Sequence, residues 1–268
     1  MSQLLKLNGI NKIFNEDTPD EKIALHNIEL QLEPGDFVTI IGSNGAGKST
    51  MMNMISGALS PDLGTVAIDG RDVTKLPEYK RSKFIGRVFQ DPMAGTAPNM
   101  TIEENLAIAF SRNRSRGLRT GVSRKRKQFF KEALASLGLN LDERLNAKVG
   151  LLSGGERQAL SLLMATFTNP NILLLDEHTA ALDPSRAALI TNLTKELVAK
   201  DQLTTLMITH DMQQAIDLGN RLIMMDQGQI ILEVNEEEKA NLTIDDLMEQ
   251  FQKIRGEKMV SDRVLLAT

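Results

Sequence analysis

The chain has 268 residues, 41% of them hydrophobic, enough for one large domain or two small ones with a buried core. Lysine and arginine number 31 against 35 aspartate and glutamate, a formal charge of −4 that gives no general reason to expect nucleic acid as a partner. There is no cysteine, which excludes disulfides and thiolate metal sites and fits a reducing cytosol. No window approaches the ~18 uninterrupted apolar residues of a membrane span, and Met1–Lys6 is too short an apolar run for a signal peptide, so any service to a membrane comes from outside the bilayer.

Residues 4 to 40 read as short strands, with Leu5, Leu7 and Ile10 near Phe14 and a loose alternation from Leu25 to Leu32, followed by a Glu33–Asp36 turn. Phe37–Ile41 is an apolar run expected to be a buried strand, and Thr50–Ile55 is expected to be helical. Between them stands Gly42-Ser43-Asn44-Gly45-Ala46-Gly47-Lys48-Ser49-Thr50. Gly42, Gly47, Lys48 and Ser49 match G-x-x-x-x-G-K-[ST] in the strand-to-helix context that the pattern requires. The glycines let successive N–H groups turn inward around a phosphate, and the following helix aims its positive end at the same point. Lys48 can reach the outer phosphates and Ser49 can ligate Mg²⁺.

Gly64–Gly70 is expected to be a strand ending in an Asp-Gly turn, and Phe84–Phe89 another, closed by Gln90. From Asp91 the texture changes. Pro92, Gly95 and Pro98 mark a loop, and Thr101 with Glu104 has the capping-box spacing that opens a helix. Residues 102 to 165 read as a mostly helical lobe inserted between strands. Ser111 to Lys127 carries eight cations and no acid; it reads as a solvated loop between two helices, with anionic headgroups or a membrane partner's acidic face as the sharper alternative and nucleic acid as the remaining one. Phe129 and Phe130 look like the core face of the next helix. Leu152-Ser153-Gly154-Gly155-Glu156-Arg157-Gln158 pairs Ser153 as N-cap with Glu156, and its glycines leave bare N–H groups at a helix start, a second anion site.

Asn171–Leu175 and Thr204–Ile208 are continuous apolar runs suited to parallel strands buried on both faces, joined by a helix over Ser185–Lys200. Asp176 and Glu177 end the first of them, where ligands bind in open α/β sheets; Asp176 is expected to hold Mg²⁺ and Glu177 to polarise an attacking water. His210 follows the second, and on its own reads as a turn residue; His26 reads as structural. Arg221–Val234 is expected to be a hairpin around Gln227-Gly228. Asn241–Thr268, opening on the Thr243–Asp246 capping pattern, is expected to form one or two short helices, too little for an appended regulatory domain.

Leu152–Gln158 resembles the LSGGQ signature of ABC-type ATPases, and the remaining motifs follow in that family's order over residues 4 to 235. The resemblance implies an α/β P-loop NTPase fold: a mixed central sheet, an antiparallel β subdomain and an inserted α-helical subdomain. The corresponding boundaries are 1–90 with 166–235 for the nucleotide-binding core, 91–165 for the helical signature subdomain and 236–268 for a short helical tail. It implies that Phe14 stacks on adenine, that Gln90 senses Mg²⁺ and water, that Asp183 belongs to a D-loop, and that His210 is a switch histidine ordering the γ-phosphate and Glu177. Ser43, Asn44, Gly45, Ala46 and Thr50 complete the phosphate loop. With ATP and Mg²⁺ as cofactors, it implies a head-to-tail homodimer in which each ATP lies between one phosphate loop and the Ser153, Gly154 and Gly155 of the other chain. Further implied are transmembrane permease subunits, a substrate-binding lipoprotein indirectly, and a place on the cytoplasmic face of the membrane. The family usually has proline where His178 stands, so the loop after Glu177 is expected to be less rigid, with His178 a turn residue. The runs 176–183 and 95–100 are similar to a bacterial subgroup linked to tryptophan or other aromatic amino-acid uptake. An exporter or lipid-extraction ATPase, or a soluble non-transport ABC ATPase, are the competing expectations.

Overall fold

The computed structural model describes residues 3–112 and 122–265. Two sheets share the chain. β1 (Leu5–Phe14), β2 (Lys22–Leu32), β4 (Leu63–Ile68) and β5 (Arg71–Asp72) form an antiparallel sheet in the order β2-β1-β4-β5. β3 (Phe37–Gly42), β6 (Ile85–Val88), β7 (Ile172–Asp176), β8 (Thr204–Ile208), β9 (Arg221–Asp226) and β10 (Gln229–Val234) form the second, in the order β10-β9-β3-β8-β7-β6. Its strands run parallel except β10, which returns antiparallel to β9.

The central strands are apolar throughout because both faces are covered. In β7, Ile172 and Leu174 face a core shared with β1, β2 and the helix α1 (Lys48–Ser56), while Leu173 and Leu175 face a core shared with the helical lobe. That lobe holds α3 (Ile102–Phe110), α4 (Arg124–Ala135) and α5 (Gly154–Thr166), and α6 (Pro184–Asp201) packs on the same side. Phe110, Phe130 and Phe167 bring its helices together, with the Phe130 and Phe167 rings stacked at 5.9 Å. A third, smaller core joins β3, β9 and α7 (Met212–Asp217) to Leu247 of α9 (Ile244–Leu265), beyond the short α8 (Glu236–Lys239).

The Thr101 and Ser153 capping boxes are both formed, and so is the Thr243–Asp246 reciprocal pair. Both glycine-containing hairpin turns have two consecutive positive φ angles, at Asp69-Gly70 and Gln227-Gly228, as a tight right-twisted hairpin demands. Several expectations are corrected. β1 and β2 are long, not short; their alternation is loose because the ladder between them shifts register three times, with Gly9 and Asn27 at positive φ along it. Arg124–Lys127 form the first turn of α4 rather than a loop, since Ser123 accepts the Arg126 N–H as N-cap; residues 113–121 lie outside the described residues. Only Phe130 is core, Phe129 remaining 43% exposed at the rim. The C-terminal segment is one helix of 22 residues, not short pieces.

Arg81, at the end of α2 (Glu78–Arg81), is fully buried and donates to the carbonyls of Met54, Ile55, Thr74 and Leu76. It thereby places a cation against the C-terminal end of α1, where the helix dipole favours one. Arg81→Met leaves those carbonyls unpaired in the interior and is expected to cost about 3 kcal/mol or more of stability. Urea unfolding measures this; an unchanged midpoint would show that the guanidinium is dispensable.

Candidate active site

The phosphate loop owes its shape to contacts that only glycine permits. A Cβ on Gly42 would stand 2.1 Å from the Met225 carbonyl oxygen, and one on Gly47 would stand 2.6 Å from that of Ala24; both residues have positive φ. The loop is thus pressed against the β9–β10 turn and the start of β2, and Gly228 N–H donates to the Ala46 carbonyl at 3.0 Å. Ser43 Oγ donates to Asp226 at 2.9 Å. Lys48 Nζ folds back over the loop to the carbonyls of Gly42 (2.7 Å) and Ser43 (3.0 Å). Burial holds its ammonium below the usual lysine range, against the carboxylates of Glu177 and Asp176.

A cavity of about 250 Å³ opens over this loop, bounded by Asn44 to Thr50, Glu177 and Phe14. Phe14 belongs to none of the cores; it is half-buried with Lys12 Nζ 5.6 Å from its ring. Lys22, which pairs with Phe14 across the β1–β2 ladder, also lines the cavity and was missed by sequence reasoning. The long β1–β2 pairing is its signal, visible only once the bulges set the register.

Asp176 and Glu177 leave the tip of β7. Burial pushes the Asp176 carboxyl above the usual carboxylate range, while Arg87, 3.4 Å away, and the Ser49 hydroxyl favour its charged form. Arg87 lies on the neighbouring strand β6, a pairing the sequence conceals because it depends on parallel register. Glu177 takes a positive φ of 45° and its N–H donates to the Ile208 carbonyl, turning its side chain back over the strand ends. There Gln90 Nε2 donates to Glu177 at 3.2 Å, and His210 Nδ1 lies 3.9 Å from the same oxygen. Gln90, Glu177 and His210, far apart in the chain, thus meet beside Lys48 and Ser49.

Ser153, Gly154 and Gly155 do not line that cavity. They form the tip of α5, which packs against the start of α6: a Cβ on Gly155 would stand 3.1 Å from Arg186, and one on Gly154 would stand 3.3 Å from Leu182. Asp183 caps α6 through the Arg186 N–H and remains exposed beside this tip. Gln158, one turn along α5, donates to the Phe89 carbonyl next to Gln90.

Ser49 and Asp176 lie within hydrogen-bond reach of each other and Gln90 lies against the adjoining Glu177; their side-chain oxygens are hard donors of the kind that could hold Mg²⁺ together with substrate phosphates. No cluster of three or more His, Cys, Asp or Glu that could hold a metal ion exists among the described residues.

The family model for "ABC transporter" matches residues 25–180. The chain belongs to the ABC transporter ATP-binding family. It is 41% identical over 249 residues to the "Tyrosine transport ATP-binding protein" of Clostridioides difficile, covering 93% of this chain and 99% of that one. It is 31% identical to the "Methionine import ATP-binding protein MetN" of Corynebacterium efficiens, covering 85% of this chain and 61% of that one. Its fold superposes with a TM-score of 0.74 on the dimeric post-hydrolysis ATP-binding cassette MJ0796 bound to ADP and Pi, at 31% identity over 87% of this chain and 98% of that one. The ADP form of the cassette MJ1267 superposes at 0.75, with 31% identity over 94% of this chain and 99% of that one. The fold class expected from the motifs is therefore the observed one, and the chain is an ATPase working on ATP with Mg²⁺.

His178 corrects one expectation. It lies in a turn, yet it is 2% exposed, with Nε2 3.0 Å from Thr194 Oγ1 on α6. Thr194 donates its own hydroxyl to Ile190, so His178 is the donor and Nδ1, which has no partner, stays unprotonated. The residue ties the segment after Glu177 to α6 rather than loosening it. Burial lowers its pKa to about 4. The unfolded chain then takes up a proton near the ordinary histidine pKa of ~6.5 that the folded chain refuses, so stability falls as pH drops from that value toward 4. From pH 7 to pH 5 this costs about 2 kcal/mol, and urea unfolding of His178→Gln should lack that share of the loss. Identical pH dependence in both proteins would contradict it.

Proposed function

We propose that this chain is the ATP-hydrolysing subunit of an importer for an aromatic amino acid, working as a homodimer on the cytoplasmic face of the membrane beneath a separate permease fed by a binding lipoprotein. One observation carries the dimeric engine: the glycine-bearing tip of α5 is built as an anion site yet stands outside the cavity of its own phosphate loop. A triphosphate held by one chain would be completed by Ser153, Gly154 and Gly155 of a second. The dimeric relative with bound ADP and Pi supports this arrangement.

In this reading the N–H groups of residues 43 to 50 cradle the phosphates, Lys48 swings from its loop carbonyls to the outer phosphates, and Phe14 carries the adenine. Ser49, Asp176 and Gln90 would hold Mg²⁺, which when bound would supply charge neutralisation on the phosphate oxygens. Glu177 accepts a proton from the water that attacks the γ-phosphorus, the bond to the bridging oxygen breaks, and ADP leaves with that electron pair. His210 steadies Glu177 and the γ-phosphate, and Asp183 supports the interface beside the signature tip. Hydrolysis removes the bridge between the chains, and their separation drives the permease between its two states. Near-complete coverage of a tyrosine transport protein supports aromatic amino acids as the cargo class, with tyrosine first and tryptophan next.

Glu177→Gln should keep ATP binding, lose turnover by roughly 10²-fold or more, and sediment as a dimer only with ATP; a monomer with wild-type turnover would contradict the role. Lys48→Ala should lose most nucleotide affinity in calorimetry, and unchanged affinity would remove it from the phosphate site. Reconstituted with the permease that co-purifies with it, the ATPase should be stimulated by a tyrosine-loaded binding protein. Stimulation by aliphatic amino acids alone would overturn the cargo class.

A further inference from the structure

The signature tip carries a charge that its own architecture does not need. A capping box requires only an acceptor oxygen on the third helical residue, and glutamine provides one as well as glutamate. Here the residue is Glu156, and one carboxylate oxygen accepts the Ser153 N–H at 2.7 Å, which closes the box. The helix N-terminus offers roughly half a positive charge to an incoming anion. A full negative charge within its first turn outweighs that and repels a phosphate. The second carboxylate oxygen, however, is 2.5 Å from Arg144 Nη1. Arg144 ends a single 3-10 turn, Asp142–Arg144, nine residues before the N-cap, and reaches the tip from outside α5. Burial works against the Glu156 charge, but the Ser153 and Arg144 hydrogen bonds hold its carboxyl below the usual range, so it is ionised and the countercharge is needed.

We infer that Arg144 is a positioning residue for the nucleotide: by neutralising Glu156 it keeps the α5 tip attractive to the triphosphate carried by the opposing chain. The inference rests on the two-chain reading above, and its test separates the two. In the Glu177→Gln background, sedimentation velocity over a range of ATP concentrations reports ATP-driven dimerisation. Adding Arg144→Ala should raise the ATP concentration needed by about fivefold to tenfold, the worth of one charge at a helix end felt at both composite sites. Arg144→Lys should retain most of the parent behaviour. Combining Arg144→Ala with Glu156→Gln should restore it, because the cap survives and the surplus charge is gone. An Arg144→Ala protein that dimerises like its parent overturns the inference. So does a double variant as weak as Arg144→Ala, which would mean that the arginine merely braces the lobe or touches phosphate itself. Failure of the Glu177→Gln parent to dimerise would sink the two-chain reading before Arg144 is involved.

Discussion

The constraint on which the site depends is that the loop leading into α1 is held around a cavity. The N-terminus of α1 has unpaired donors by construction, and the loop before it can curl around an anion only because Gly42 and Gly47 let the Met225 and Ala24 carbonyls come close. That closeness fixes the loop from outside, through the β9–β10 turn and the edge of the antiparallel sheet. At the far end of α1, the buried Arg81 answers the negative pole of the same helix. Lys48 occupies the loop carbonyls and can leave them when a stronger partner arrives.

The central sheet turns this cradle into a reaction centre. Parallel strands put all their C-terminal ends on one side, so β3, β7 and β8 deliver the phosphate loop, the carboxylate pair and His210 to one edge. β6 adds Arg87 and, just beyond it, Gln90. The helical lobe is connected to that edge through a hydrogen bond from Gln158, one turn into α5, to the carbonyl of Phe89, the residue before Gln90. A nucleotide joining two such chains would therefore be sensed at both ends of the lobe, which is what a motor coupled to a membrane partner requires.

Local signals were legible. The phosphate loop, the capping boxes at Thr101 and Ser153, and the Asp69-Gly70 and Gln227-Gly228 turns each depend on residues a few positions apart, and each is formed. The buried runs of β7 and β8 were equally plain. What the sequence hid depends on register or on tertiary contact. Lys22 reaches the cavity through a bulged ladder, and Arg87 meets Asp176 across parallel strands. His178 reads as a turn residue beside Glu177, but the α6 side chain that anchors it is 16 positions away. Arg124–Lys127 looked like loop because four cations oppose the dipole of the helix they begin; the Ser123 cap and the packing of Phe130 and Leu134 outweigh that local cost.

The central claim is that one ATP is gripped by two copies of this chain. A crystal structure of the Glu177→Gln protein with ATP and Mg²⁺ tests it most directly. The account predicts two nucleotides per dimer, each with its outer phosphates on Lys48 of one protomer and on the Ser153 hydroxyl and Gly155 N–H of its partner. A nucleotide contacted by a single chain, with every α5 tip facing solvent at saturating ATP, would contradict it.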